Sequence, residues 1–341
     1  MKKKKKKKPG SLWKNILLLI ITIILFLIVS ELVFRLFASD YQKRSGEHIR
    51  IEDSHFSHYF LNVSFRKDPG VFRIVVLGDS FTFGTGMENG TSIYTKSYPR
   101  QLQALLKENF DDYNYEIFNY GLGGMSTLDE YYILEMLALK ANPDLVIIGI
   151  TTNDMILWNY NLDPIAYCDI NIHYSDRFLR FLDKNWRLFN YFYIKYKYAD
   201  YYKKRKKNDN SLEERCYRRS LERINDLLSE KQIPAVVVLI YETLYDYEKE
   251  YLRDYYSEER FLELKEGITS AGFEHTMYTS DYFLDIPYKE VTCDDDYHYS
   301  PKAYRAIAKM IYNYLLTNNM IPSCENQDCS TKLVSVEWSE V

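Results

Sequence analysis

FRIVVLGDSFTFGTG, residues 72–86, is the stretch on which the reading of this chain turns. Ile74, Val75, Val76 and Leu77 form an unbroken apolar run that stops at Gly78, Asp79 and Ser80. A short apolar run closed by glycine is the pattern of a central parallel strand, buried on both faces. Ser80 then falls where a strand ends and a helix begins. In an open α/β sheet that edge collects ligand-binding and catalytic groups. A Gly-Asp-Ser triplet is also an ordinary turn, so its meaning depends on what the rest of the chain brings to the same edge.

Downstream, apolar runs alternate with helical periodicity. Tyr98 and Pro99 open a helix with Leu102, Leu105, Leu106 and Phe110 on one face. A second strand over residues 115–118 runs into Asn119, Gly121 and Gly124, and Thr127 with Glu130 predicts a capping box for the next helix. The third strand, residues 145–150, ends in Thr151, Thr152, Asn153 and Asp154. Residues 155–210 break the rhythm. They are rich in Trp, Tyr, Phe and Lys and read as a helical, aromatic cap inserted over the strand ends. Ser211 with Glu214 predicts another capping box, residues 235–240 a fourth strand, and residues 282–286 a short fifth. Ser300 and Pro301 supply the N-cap and first-turn proline of a last helix whose stripe is Ala303, Ala306, Ile307, Met310, Ile311, Tyr314 and Leu315. Strands separated by helices at this spacing imply a doubly wound parallel sheet with all carboxyl ends on one edge.

The N-terminus has a different character. Seven lysines at residues 2–8 precede an apolar run from Ile16 to Val29 broken only by Thr22, and continuing to Phe37 past Glu31 and Arg35. That is the length a membrane-spanning helix needs, and the lysine block belongs on the cytoplasmic side. A cleaved secretory signal is the alternative. The run is long for one, and its far flank lacks a small-x-small cleavage site. The expected organisation is therefore a basic cytoplasmic tail (1–14), a transmembrane helix (15–37), a juxtamembrane stalk (38–70), the α/β domain (71–318) carrying the 155–210 insertion, and a peripheral C-terminal tail (319–341). The chain is 341 residues long with net charge −4, and eight lysines lie in the first fourteen residues, so the remainder carries −12. An acidic body argues against nucleic acid as a partner.

Five cysteines leave at least one thiol unpaired within the chain; Cys324 and Cys329 are spaced to close a small loop. No cysteine or histidine spacing resembles a zinc site; His55 and His58 read as surface residues, and no metal or cofactor is expected. The 33 tyrosines are open to two readings, sugar stacking or composition bias, and composition favours the second.

Acyl transfer needs a nucleophile, a base, a group to orient the base, and oxyanion donors. Ser80 is the candidate nucleophile, which an adjacent base must activate. His298 is the candidate base. Asp295, three residues earlier on the same loop, is placed to hold the imidazole in the right tautomer. The backbone amides of Ser80 and Gly124 and the side-chain amide of Asn153 are the candidate oxyanion donors. Each has an ordinary structural alternative, as a turn or cap serine, a tight-turn glycine, a helix-capping asparagine, and a surface histidine beside a solvated acidic loop.

Together these residues resemble the SGNH (GDSL-type) hydrolases. The resemblance rests on Gly78-Asp79-Ser80, on Asn119-x-Gly121-x-x-Gly124, on Asn153-Asp154 and on Asp295-x-x-His298 before the last helix, and it covers about residues 72–316. It implies a flavodoxin-like three-layer α/β/α sandwich and the roles given above, with Asp295 completing a Ser-His-Asp triad. Two positions depart from that pattern. Thr151 stands where the family usually has glycine, with an expected effect on the pocket or on strand packing, and Tyr299 follows the histidine where proline is common. The resulting expectation is a membrane-anchored serine esterase acting outside the cytoplasm on an acylated glycan or lipid, such as an O-acetyl ester. The alternatives are an acyltransferase using the same site on a glycan acceptor, and a catalytically silent membrane-anchored binding module.

Overall fold

The computed structural model describes residues 10–37, 66–88, 91–92, 94–155, 186, 188, 211–240, 258–283, 286–294, 298–324 and 329–340. The expected stalk up to residue 65, the insertion apart from Met155, Trp186 and Leu188, His55, His58 and Asp295 lie outside the described residues. The chain divides into two compact units, one of Met1–His48 with Ile165–Asp209 and one of Ile49–Pro164 with Asn210–Val341.

In the first unit, helix α1 spans Gly10–Phe37. Its segment Trp13–Phe34 is long and apolar enough to cross a membrane. The Thr22 hydroxyl donates back to the Leu18 carbonyl at 2.8 Å, which satisfies the one polar side chain in the middle of the run. Glu31 is buried, and its carboxylate accepts the backbone N–H of Leu188 at 2.8 Å.

The second unit is built on five parallel strands: β1 Val71–Gly78, β2 Asn114–Asn119, β3 Leu145–Ile150, β4 Ala235–Leu239 and β5 His275–Tyr278. Their order across the sheet is β2-β1-β3-β4-β5. This is the flavodoxin-like doubly wound order, with its switch point between β1 and β3. Helix α2 spans Tyr98–Asn109, α3 Thr127–Met136, α4 Ser211–Glu230, α5 Glu258–Ser270 and α6 Pro301–Thr317. Alternate strand residues go to opposite faces. Ile74, Val76, Ile147, Val236 and Val238 join α2 and α6 in one apolar cluster, while α3 packs on α4 and α4 on α5. Ile74 to Leu77 are all fully buried, each contributing about 1.5–3 kcal/mol on the usual area scale.

Several local expectations shift. Helix α3 is capped one residue earlier than the Thr127–Glu130 frame. The Asp129 carboxylate accepts the backbone N–H of Ser126 at 2.9 Å and its hydroxyl at 2.8 Å. Both frames fit the pattern, but Glu130 turns into the core and cannot reach back. Glu214 accepts from Arg218 Nε at 3.0 Å; the Ser211 side chain, on which the second expected capping box depends, lies outside the described residues. The fifth strand is His275–Tyr278, not residues 282–286; Tyr282 and Phe283 belong to a short helical turn, Ser280–Phe283. Only Met277 of β5 is buried, because β5 is the sheet edge. Its apolar pattern is correspondingly weak.

The C-terminal segment is also less peripheral than expected. Cys324 and Cys329 form a disulfide and both are buried in the α2–α6 cluster. Beyond them the Asn313 side chain exchanges hydrogen bonds with the backbone of Val334, at 2.8 and 3.0 Å. The phenol of Tyr115 reaches the Ser323 hydroxyl at 2.8 Å. Cys216 is disulfide-bonded, and Cys293 is a buried thiol that donates to the Tyr299 carbonyl at 3.1 Å.

Candidate active site

Strand β1 delivers its last residues to the switch point and the chain turns at once into a one-turn helix, Ser80–Phe83. Asp79 caps it. Its Oδ1 accepts the Phe81 N–H at 2.9 Å, while its carbonyl accepts from Phe83 N at 2.9 Å. The turn closes at Gly84, whose left-handed φ of 86° ends it with an N–H to the Ser80 carbonyl at 3.0 Å. The Ser80 N–H, in the first turn, has no acceptor within that helix. Ser80 is 6% exposed.

Three neighbours fix this turn. The Asn119 side chain, at the end of β2, donates to the Thr82 carbonyl at 2.8 Å and accepts the Gly121 N–H at 2.8 Å, tying the β2 loop to the serine turn. A methyl group on Gly121 would lie 2.5 Å from the backbone N of Phe83, so glycine is required by close approach. Thr82 shares a hydrogen bond with the Tyr98 phenol at 2.9 Å beneath the turn, and burial pushes that phenol far above its usual range. Gly123 and Gly124 are exposed, and a methyl on Gly123 would meet the Ser80 Cβ at 3.9 Å. Gly124 has φ +74° with open space around it.

From the other side of the switch point, β3 ends at Ile150 and the chain enters a 3-10 turn, Thr152–Met155. The Asn153 side chain reaches back across the sheet edge and donates Nδ2 to Asp79 Oδ2 at 2.8 Å. The Thr151 hydroxyl lies 3.0 Å from the same oxygen. Thr151 is fully buried among these groups, and its side chain joins this polar network.

His298 arrives on a loop closed by an antiparallel bridge between Thr292 and Tyr299, with Cys293 N donating to the His298 carbonyl at 2.7 Å and Ser300 N to the Val291 carbonyl at 2.7 Å. The imidazole lies against Phe81, ring centroids 5.3 Å apart. Tyr299 is fully buried and packs on Phe81, Phe283 and Tyr304.

The electrostatics behind the serine are unusual. Asp79, Glu130 and Asp154 are all buried carboxyls in one cluster. Burial pushes Asp79 above its ordinary value. The hydrogen bonds from Asn153, Phe81 and Thr151, and the charge of His298, pull it back only in part. Glu130 and Asp154 are driven well above theirs, first by burial and then by the other acids. Asp154 Oδ2 also accepts the Thr151 backbone N–H.

Ser80, Asn153, His298 and the Gly123–Gly124 turn thus lie around one sheet edge. Sequence reasoning did not single out Asp79 as the link between them, nor the contributions of Thr82, Tyr98 and Thr151. The signal for Asp79 was its place immediately before the serine, where a capping carboxylate is favoured.

A parallel α/β sheet that presents serine, histidine, an amide side chain and turn amides at its carboxyl edge is equipped for acyl chemistry. The chain belongs to the GDSL-like lipase/acylhydrolase family, whose model matches residues 76–306. It is accordingly an ester-bond hydrolase. Among solved structures, the chain is similar to a lipase/acylhydrolase from Enterococcus faecalis, at 18% identity, with 72% of this chain and 95% of that one covered and a TM-score of 0.42. An acetylxylan esterase from Geobacillus stearothermophilus gives 13% identity, coverage of 72% and 94%, and a TM-score of 0.42. A two-domain esterase active on acetylated mannans gives 15%, 76% and 52%, and 0.44. No curated protein matches the chain.

Proposed function

We propose that Ser80 is the nucleophile of this esterase, His298 its general base and Asp295 the carboxylate that orients His298. The N–H groups of Ser80 and Gly124 and the Asn153 side chain then bind the oxyanion. The observation that carries this reading is the bond from Asn153 to Asp79, the residue that caps the Ser80 turn. One buried carboxylate thereby sets the candidate nucleophile and a candidate oxyanion donor in a common frame. In the reaction Ser80 Oγ attacks the ester carbonyl as His298 takes its proton. The tetrahedral oxyanion collapses with His298 returning that proton to the departing alcohol, and water repeats the sequence on the acyl-enzyme. One oxyanion donor is typically worth ~3 kcal/mol in the transition state.

The substrate we assign is an acyl ester, such as an O-acetyl group, on a glycan or lipid outside the cytoplasm. The support is the apolar helix at Trp13–Phe34 with a lysine block in front of it, which favours a cytoplasmic N-terminus. The test is labelling of the full chain in membranes by a fluorophosphonate probe, beside Ser80→Ala, His298→Ala and Asp295→Ala. Labelling of the parent, abolished by the first and strongly slowed by the other two, is expected. Labelling that survives Ser80→Ala overturns the assignment. With an acetylated glycan, acetate release is expected to persist when free glycan is added; acetyl transfer to that glycan in place of release would overturn hydrolysis in favour of transfer.

A further inference from the structure

Thr151 Oγ1 stands in a dry place among three oxygens: Asp79 Oδ2 at 3.0 Å, Asn153 Oδ1 at 3.1 Å and Asp154 Oδ2 at 3.1 Å. Thr151 and Asp79 are fully buried and Asn153 is 4% exposed, so no room is left for bulk water to replace a lost partner. The Asn153 amide meets this group with both ends. Its Nδ2 donates to Asp79 Oδ2 and its Oδ1 faces the Thr151 hydroxyl. A flipped amide would set its oxygen against the Asp79 carboxyl, so the network selects one orientation. A hydroxyl can donate one proton and accept others. Asp79 Oδ2 and Asn153 Oδ1 are both acceptors, so that one proton serves one of them at a time; given to Asn153 Oδ1 it holds the amide oxygen where a methyl group could not.

The same residue is tied down on its main-chain side. Thr151 N–H goes to Asp154 Oδ2, and Asp154 N–H returns to the Thr151 carbonyl at 3.1 Å. The platform under Asn153 is thus held at both backbone and side chain.

We propose that Thr151 is a positioning residue: with Asp79 it clamps the plane of the Asn153 amide, so that the Nδ2–H not given to Asp79 is aimed at the substrate oxyanion. This rests on the assignment of Asn153 as an oxyanion donor. Such a donor acts only as charge develops on the substrate oxygen, so its misalignment lowers kcat and leaves KM nearly unchanged.

Valine and serine separate the two things threonine offers. Valine keeps the volume and loses the hydroxyl; serine keeps the hydroxyl and loses a methyl group. Full-length protein in detergent, assayed on p-nitrophenyl acetate, is expected to lose on the order of tenfold in kcat on Thr151→Val with KM within about twofold, and to stay within about threefold on Thr151→Ser. Full kcat in Thr151→Val, or equal loss in both variants, overturns the proposal. Asp79→Asn tests the other half of the clamp should the valine variant not fold. An asparagine there can still accept from Phe81 but meets Asn153 donor to donor, and a kcat loss of at least about tenfold is expected; kcat within twofold of the parent overturns it. Ser80→Ala in the same assay separates the two levels: hydrolysis that survives it refutes the site itself, whereas Ser80-dependent hydrolysis untouched by Thr151→Val refutes only the clamp.

Discussion

Phe81 and Tyr299 meet edge to face, ring centroids 5.3 Å apart at 82°. Phe81 follows Ser80 and Tyr299 follows His298, so one aromatic contact couples the loop of the candidate nucleophile to that of the candidate base. Both rings are fully buried. Tyr299→Ala should therefore cost about 3–5 kcal/mol of stability. Because the His298 loop leans on this ring, fluorophosphonate labelling should also slow by at least about tenfold, as expected when a reacting group is displaced by about an ångström. Tyr299→Phe keeps the contact and should change stability by less than about 1 kcal/mol. Thermal melts and labelling rates of the two variants check this; equal labelling in parent and alanine variant would show that the contact does not place His298.

The glycines of the β2 loop should respond in opposite ways. At Gly121 a methyl would press 2.5 Å from Phe83 N and 2.8 Å from the Thr82 carbonyl carbon, both backbone atoms of the serine turn. At Gly124 it meets nothing, but φ is +74°. Gly124→Ala should fold with a loss of about 1–2 kcal/mol from the left-handed backbone alone. Gly121→Ala must displace the turn, so it should lose more stability and most labelling. Melting both variants and finding Gly124→Ala the less stable would contradict this account.

Glu130 predicts an inverted pH dependence. Burial, followed by the charge of Asp79, raises it well above its ordinary 4.5. Between 4.5 and the raised value the folded chain holds a proton that the unfolded chain has released. Stability supplied by the neutral acid is therefore complete below about pH 4.5 and declines as pH rises through the folded value. Glu130→Gln mimics the protonated acid and removes the decline. Its melting temperature relative to the parent should rise from pH 4 to pH 8. A difference that stays flat or falls over that range would mean that Glu130 is ionised in the folded chain.

What could be read from the sequence follows the distance over which each feature is determined. Strands β1 and β3 and helix α6 are visible because their apolar runs, N-cap Ser300 and Pro301 are local signals. Ser80 and Asn153 are visible as strand-end residues, but the bond that relates them joins Asp79 to a residue 74 positions away, which no local pattern encodes. Strand β5 was misplaced because an edge strand buries one face at most, and Met277 alone carries the signal. The richer run at Tyr282, Phe283 and Ile286 packs against the core from a short helix and turn.

Arg73 is the sharpest case of a residue whose context overrides its type. It sits inside the central strand, 1% exposed, in a segment otherwise read as an apolar run. Its guanidinium donates to Glu116 Oε2 through Nε at 3.0 Å and Nη2 at 2.7 Å, to the Arg66 carbonyl at 3.2 Å and to the Ala141 carbonyl, and it stacks 4.6 Å over the Phe118 ring. A planar fork of five donors fits that set, and a lysine ammonium cannot. Arg73→Ala leaves Glu116 and two carbonyls without their donor and should cost about 3–5 kcal/mol. Arg73→Lys should recover only part of this. Glu116→Gln should cost the least, about 1 kcal/mol, since the Glu116 side chain is 35% exposed and water can take over some of its bonding. The order alanine, lysine, glutamine in thermal melts checks the argument. A lysine variant as stable as the parent would mean that charge alone, without the guanidinium fork, is what this position requires.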